Sequence, residues 1–99
     1  MQRGGTVYII ASLNSKALYT GVTSDLYSRV LQHKQKIYPK SFTAKYNCIK
    51  LVYFEPYPTI EEAIDEEKRI KGGSRSNKEK LINGMNSNWR DLWEDIKDW

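Results

Sequence analysis

Tyr8 and Tyr19 stand eleven residues apart, Arg29 follows ten residues after Tyr19, and His33 lies four beyond Arg29. Phenols and an imidazole can orient a water or take its proton, and a guanidinium offers a fork to phosphate oxygens. A tyrosine ordinarily titrates near ~10 and needs a cation or base beside it to act as a base at neutral pH. A histidine, near ~6.5, needs less help. Phosphodiester cleavage asks for these elements together with a carboxylate that can hold a hard cation. Glu67 is the candidate for that carboxylate. It falls on the apolar stripe of its helix, where an unpaired charge is costly unless paired, protonated or metal-bound.

The elements that must position these residues are legible in outline. Thr6 to Ser12 is apolar and β-branched and reads as a buried strand. Leu13-Asn14-Ser15-Lys16 is a turn, and Ala17 to Val22 a second strand, which places Tyr8 opposite or nearly opposite Tyr19. Gly21 permits close backbone approach there. Thr23-Ser24-Asp25 offers a cap for a helix to about Lys36, with Arg29, His33 and Lys36 along one face. A basic loop follows from Ile37 to Asn47. Its Lys40 and Lys45, with Tyr38, Phe42 and Tyr46, leave two readings open, loop packing or a grip on single-stranded bases.

Cys48 to Glu55 reads as a third strand ended by Pro56 and Pro58. Thr59-Ile60-Glu61-Glu62 is a capping box for a helix that carries Ile60, Ala63, Ile64, Glu67 and Ile70 and stops at Gly72-Gly73. Ser76 to Glu79 reads as another box, opening a short helix that Gly84 closes. Trp89, Leu92, Trp93 and Ile96 then predict a last helix over 87–98. The order β-β-α-β-α-α-α implies an α+β domain: a small three-stranded antiparallel sheet flanked by helices.

Ninety-nine residues make one domain, and an apolar share of 39% with three Trp, seven Tyr and two Phe supports a real core. No stretch reaches the ~18 apolar residues of a membrane span. Met1-Gln2-Arg3-Gly4-Gly5 shows no apolar leader, so a cytoplasmic protein is expected. Cys48 is the single cysteine, which excludes an internal disulfide and a cysteine-based zinc cluster. The net charge of +4 is segregated. Six basic residues and no acid lie between Arg29 and Lys50, and six against one acid between Lys68 and Lys80. This pattern suits a polyanion partner, and it equally suits solvated helix faces.

Val7-Tyr8-Ile9, Tyr19-Thr20-Gly21, Arg29, His33 and Glu67-x-x-Ile70-Lys71, in that order, resemble the GIY-YIG nuclease family. The likeness is nearest to its small stand-alone bacterial members, which are similar to the nuclease module of the excision-repair incision enzyme. It covers Thr6 to Ile82 and includes Arg75, Lys78 and Leu81-Ile82. The resemblance implies a DNA endonuclease using one Mg²⁺ or Mn²⁺ and no small-molecule cofactor. It casts Glu67 as the metal ligand, Arg29 as the phosphate contact, and Tyr8, Tyr19 and His33 as the catalytic groups. Gly21, Lys36, Lys71, Arg75 and Lys78 are then expected to contact the substrate. The chain departs from the family at Thr6, where the motif has glycine, at Val22, where the repair enzymes carry lysine, and at Gly73, where relatives often have an aromatic residue. Asn77 is the one candidate for the family's late asparagine. These departures keep open a non-catalytic DNA-binding module with a decayed site. The tryptophans keep open docking of a partner protein or a second copy.

Overall fold

A computed structural model describes residues 4–99; the first three residues, on which the leader expectation partly rests, lie outside them. Strands β1 (Gly5–Ser12), β2 (Leu18–Thr23) and β3 (Cys48–Tyr57) form one antiparallel sheet in the order β2-β1-β3. Helices α1 (Leu26–Gln35), α2 (Phe42–Lys45), α3 (Ile60–Lys71), α4 (Arg75–Met85) and α5 (Trp93–Ile96) complete it. The expected α+β class and three-stranded sheet are what the chain adopts.

β1 is central and apolar because both its faces are covered. Val7, Ile9 and Ala11 pack with Val52, Ala63, Ile70 and Ile82 on one side, under α3 and α4. Tyr8 and Ile10 pack with Leu26, Val30, Leu51, Leu92 and Ile96 on the other, under α1 and α5. Strand alternation thus sends Tyr8 to the α1 face and its neighbours to the α3 face.

Several sequence expectations shift. Tyr8 pairs with Gly21, and Tyr19 with Ile10, so the two tyrosines are diagonal neighbours on one face. The four-residue turn Leu13–Lys16, closed by the Ser12 N–H donating to the Ala17 carbonyl at 3.0 Å, sets this register. β3 runs through Pro56, which faces Thr6, as an edge strand permits. Within the basic loop, Ser41 caps the short helix α2 by accepting from the Ala44 N–H.

α4 begins two residues earlier than the Ser76 box implies, because Ser74 caps it by accepting from the Asn77 N–H at 3.1 Å. The helix also continues through Gly84 to Met85. A methyl group at Gly84 would meet nothing within 4 Å. Gly84→Ala should therefore raise stability by about 0.5–1 kcal/mol through the unfolded chain. A denaturant midpoint that fails to rise would contradict this.

The largest correction concerns 87–98. Only Trp93–Ile96 is helical, and Trp89 sits in the left-handed region at φ 53°. Buried Asn86 organises the turn: its amide donates to the carbonyls of Val52 and Arg90 and accepts from the Arg90 N–H. Satisfying that buried amide outweighs the helical spacing. Trp89 then joins the α3 face and Trp93 the α1 face, so the two rings share no docking surface. Asp91 fastens the tail, accepting from Lys34 Nζ at 2.5 Å and from the N–H groups of Leu51 and Trp93. No helix among the described residues is long and apolar enough to cross a membrane.

Candidate active site

The polar residues converge beside the edge strand β2. Gly21 carries no side chain where the Tyr8 ring crosses it: an added Cβ would lie 2.4 Å from the Tyr8 hydroxyl oxygen. Gly21 therefore sets where the buried phenol ends. That hydroxyl meets His33 Nε2 at 2.9 Å, and His33 Nδ1 meets Thr43 Oγ1 at 3.0 Å. Ser41 Oγ lies 3.2 Å further along from Thr43 Oγ1. The result is a row of hydroxyl, imidazole, hydroxyl and hydroxyl running from β1 through α1 to α2.

A neutral imidazole serves both contacts in either tautomer. When Tyr8 donates to Nε2, Nδ1–H donates to Thr43. When Nε2–H donates to Tyr8, Thr43 donates to Nδ1. Reversing the row thus breaks no hydrogen bond. The electrostatics favour the neutral forms. Burial pushes the Tyr8 phenol far above its ordinary range, and Tyr19 adds to this; the nearby Arg29 guanidinium pulls the other way. Burial also lowers His33 from 6.5 to about 4, with the Arg29 charge adding.

The sign of the pH effect follows. Folded His33 binds its proton less readily than unfolded His33. Its ionisation leaves stability unaffected above about 6.5, lowers it as pH falls from there, and adds no further loss below about 4. His33 is the chain's single histidine, so its ring protons are traceable by NMR. They should titrate with a midpoint near 4; a midpoint near 6.5 would show an imidazole open to water.

Tyr19 is only partly covered. Its ring centroid lies 6.4 Å from that of Tyr8, 5.7 Å from His33 and 6.3 Å from Phe42. The Tyr19 ring separates two clefts. One, of about 250 Å³, is lined by Arg29, Gln32, His33, Tyr38, Phe42 and Thr43. The other contains Thr20, Lys71 and Lys78.

α3 brings the carboxylate from the opposite face of the sheet. Glu67 is only 9% exposed and pairs with Lys71 Nζ at 2.8 Å. The Glu67 hydrogen bond raises the Lys71 pKa. The same ammonium stands 5.8 Å from the Tyr19 ring centroid, so α3 reaches round the β2 edge to the tyrosines. The Glu67 charge is felt at the Tyr8 phenol as well. Among the described residues no three of His, Cys, Asp and Glu gather about one point. The donor set at hand is one hard, largely buried oxygen ligand, which fits a hydrated Mg²⁺ or Mn²⁺ and not a zinc cage.

Tyr8, Tyr19, Arg29, His33, Glu67 and Lys71 are thus gathered, with Lys78 at the rim of the second cleft. Lys36 and Arg75 are not. Lys36 leaves the helix in the left-handed region and donates to Asn47. Arg75 binds the hairpin carbonyls of Ser15 and Lys16 and pairs with Glu79. Asn77 belongs to the α4 cap. Thr43 and Ser41 had no signal of their own beyond the Ser41 cap. Thr20 is a further addition: its hydroxyl is buried in the second cleft without a hydrogen-bond partner.

The comparisons with known proteins bear on the family and the fold. A sequence model of the GIY-YIG catalytic domain matches residues 4–80. A UPF0213 protein of Staphylococcus epidermidis is 38% identical over 76 residues, which are 77% of this chain and 90% of that protein. A UPF0213 protein of Syntrophus aciditrophicus is 33% identical over 76 residues, covering 77% of this chain and 86% of its own length. Among solved structures, the NMR structure of the UPF0213 protein from Bacillus halodurans superposes with a TM-score of 0.56 at 27% identity, covering 89% of this chain and 92% of that one. The tyrosines, arginine and glutamate come from two strands and two helices, β1, β2, α1 and α3, and with the family match covering residues 4–80, most of the chain, the protein belongs to the GIY-YIG catalytic-domain family of nucleases.

Proposed function

We propose that the chain is a divalent-metal-dependent endonuclease that hydrolyses phosphodiester bonds in DNA in the cytoplasm, with branched or damaged DNA as the substrate class of repair. The observation that carries this reading is the gathering of Tyr19, Arg29 and His33 at one open cleft, beside a second that holds Lys71 and Lys78, with Glu67 joined to it through Lys71.

Arg29, in the wall of the first cleft, forks onto the scissile phosphate in this reading. Tyr19, partly exposed and beside the Lys71 ammonium, is the phenol that meets the attacking water. Tyr8 is wholly buried. It acts through His33, whose link to Thr43 holds the ring and accommodates a proton on either nitrogen. Glu67 is the residue that would hold one Mg²⁺ or Mn²⁺, whose chemistry is to neutralise phosphate charge and lower the pKa of bound water. Lys78, Gly21 and Lys71 serve the substrate as phosphate contact, spacer and local cation. Lys36 and Arg75 could reach a longer duplex only by leaving their present partners.

One feature favours a second reading. Lys71 already neutralises Glu67, as in a site kept for binding alone. Fluorescent single-stranded, duplex, flap and four-way-junction DNA separates the two. An endonuclease cuts at least one of them with Mg²⁺ or Mn²⁺ and stops when the metal is chelated. Salt-sensitive binding without cleavage under either metal would instead establish the binding module.

A further inference from the structure

The cleft between α1 and α2 carries features that neither the fold nor hydrolysis requires. α2 is inverted relative to what folding rewards. It buries Thr43, at 3% exposure, and leaves Phe42 46% exposed. Thr43 is accounted for by its contact with His33. The exposure of Phe42 has no such account, and Tyr38 and Tyr46 stand exposed beside it. Phe42 is propped by Tyr46 at 4.7 Å and Tyr19 at 6.3 Å, between ring centroids. Its ring is therefore held in place while it lines the cleft.

We infer that this cleft receives one unstacked nucleobase of a single strand, held against the Phe42 and Tyr38 rings. The inference rests on the nucleic-acid reading above and narrows its substrate to single-stranded or locally opened DNA. Three observations support the occupant. At about 250 Å³, the cleft falls below the ~300–1,000 Å³ of pockets for drug-sized ligands and suits a single base, not a pair. Arg29 and the Gln32 amide sit in its wall, offering a phosphate fork and both a donor and an acceptor to a base edge. The segment around it, Arg29 to Lys50, holds no acidic residue, which matches a polyanion and repels few of its phosphates. Aromatic platforms beside a basic track are the general means of holding single strands irrespective of sequence.

The test uses the full chain with Glu67→Gln, so that the strand survives, and single-stranded oligonucleotides carrying 2-aminopurine. Binding should change the 2-aminopurine fluorescence as the base stacks on a ring. Phe42→Leu keeps an apolar side chain but removes the π face. It should abolish that change and weaken single-strand binding roughly 5- to 150-fold, while Phe42→Trp retains both. Tyr38→Leu provides an independent variant should Phe42→Leu fail to fold. Unchanged fluorescence and affinity in both leucine variants would overturn the proposal, as would equal affinity for intact duplex. A dimer lost in Phe42→Leu, with oligonucleotide binding intact, would assign the face to a second copy and also overturn it. The two readings fail separately. Cleavage by the native chain without any 2-aminopurine response sinks the base pocket alone. A response that Phe42→Leu abolishes, without cleavage, sustains the pocket and sinks the nuclease.

Discussion

Glu67→Gln is expected to lower the cleavage rate by about 10³-fold or more, about 4 kcal/mol of barrier, with the fold intact. The substitution keeps the shape of the side chain and removes its charge. The Glu67 carboxylate is the acidic group that α3 delivers to the tyrosines, and no second acid joins it in a cluster among the described residues. A metal held by one carboxylate loses its single charged protein ligand. The stability cost is small for a physical reason. The partner left behind, Lys71, has a side chain 51% exposed and remains solvated. A partly exposed pair of this kind contributes about 0–1 kcal/mol. A melting temperature within about 8 °C of the native chain, alongside cleavage at the native rate, would remove Glu67 from the mechanism.

Arg29 should show the second large effect, and on two independent readouts. Arg29→Ala removes the phosphate fork and should slow cleavage by about 10²- to 10³-fold. Arg29→Lys should recover little, because an ammonium cannot present two parallel donors. The second readout needs no DNA. Arg29 is one of the causes that hold His33 down near 4, after burial. Either the loss of the guanidinium in Arg29→Ala or its full retention of cleavage is thus legible against the histidine titration. In Arg29→Ala the His33 midpoint should rise from its native value toward 6.5 without reaching it, since burial persists. A midpoint that stays put would show that Arg29 does not face the imidazole, and the assignment of its fork to this cleft would fall with it.

The fold was largely readable from the chain, and the reasons are local. Continuous apolar runs marked β1 and β3 because both strands are covered by helices. The Thr59 box marked α3 because its hydroxyl accepts from the Glu62 N–H, as observed at 3.2 Å. The stripe of α3 led to Glu67, which is buried as that stripe required. What stayed hidden depends on partners distant in sequence. Asn86 reads as a turn residue, and only the Val52 carbonyl reveals that it organises the tail. Trp89 and Trp93 have helical spacing, yet the chain turns between them and sends them to opposite faces. Arg75 fell in step with the motif residues, while its guanidinium clamps a hairpin turn about 60 positions away in sequence. Thr43 looks like any loop threonine until His33 is beside it.

The tail gives the protein a dependence that its active residues do not display. The catalytic-domain match ends at residue 80, and every gathered site residue lies before it. Yet α1, which carries Arg29 and His33, rests on Leu92 and Ile96 and is tied through Lys34 to Asp91. Truncation after residue 85 would leave the chemistry encoded in full and its foundation removed. Substitutions at Leu92, Ile96 or Asp91 should accordingly look like catalytic lesions when assayed warm and like silent changes when assayed cold. In a chain of this size, the temperature range over which the site stays assembled is set by residues that lie outside it.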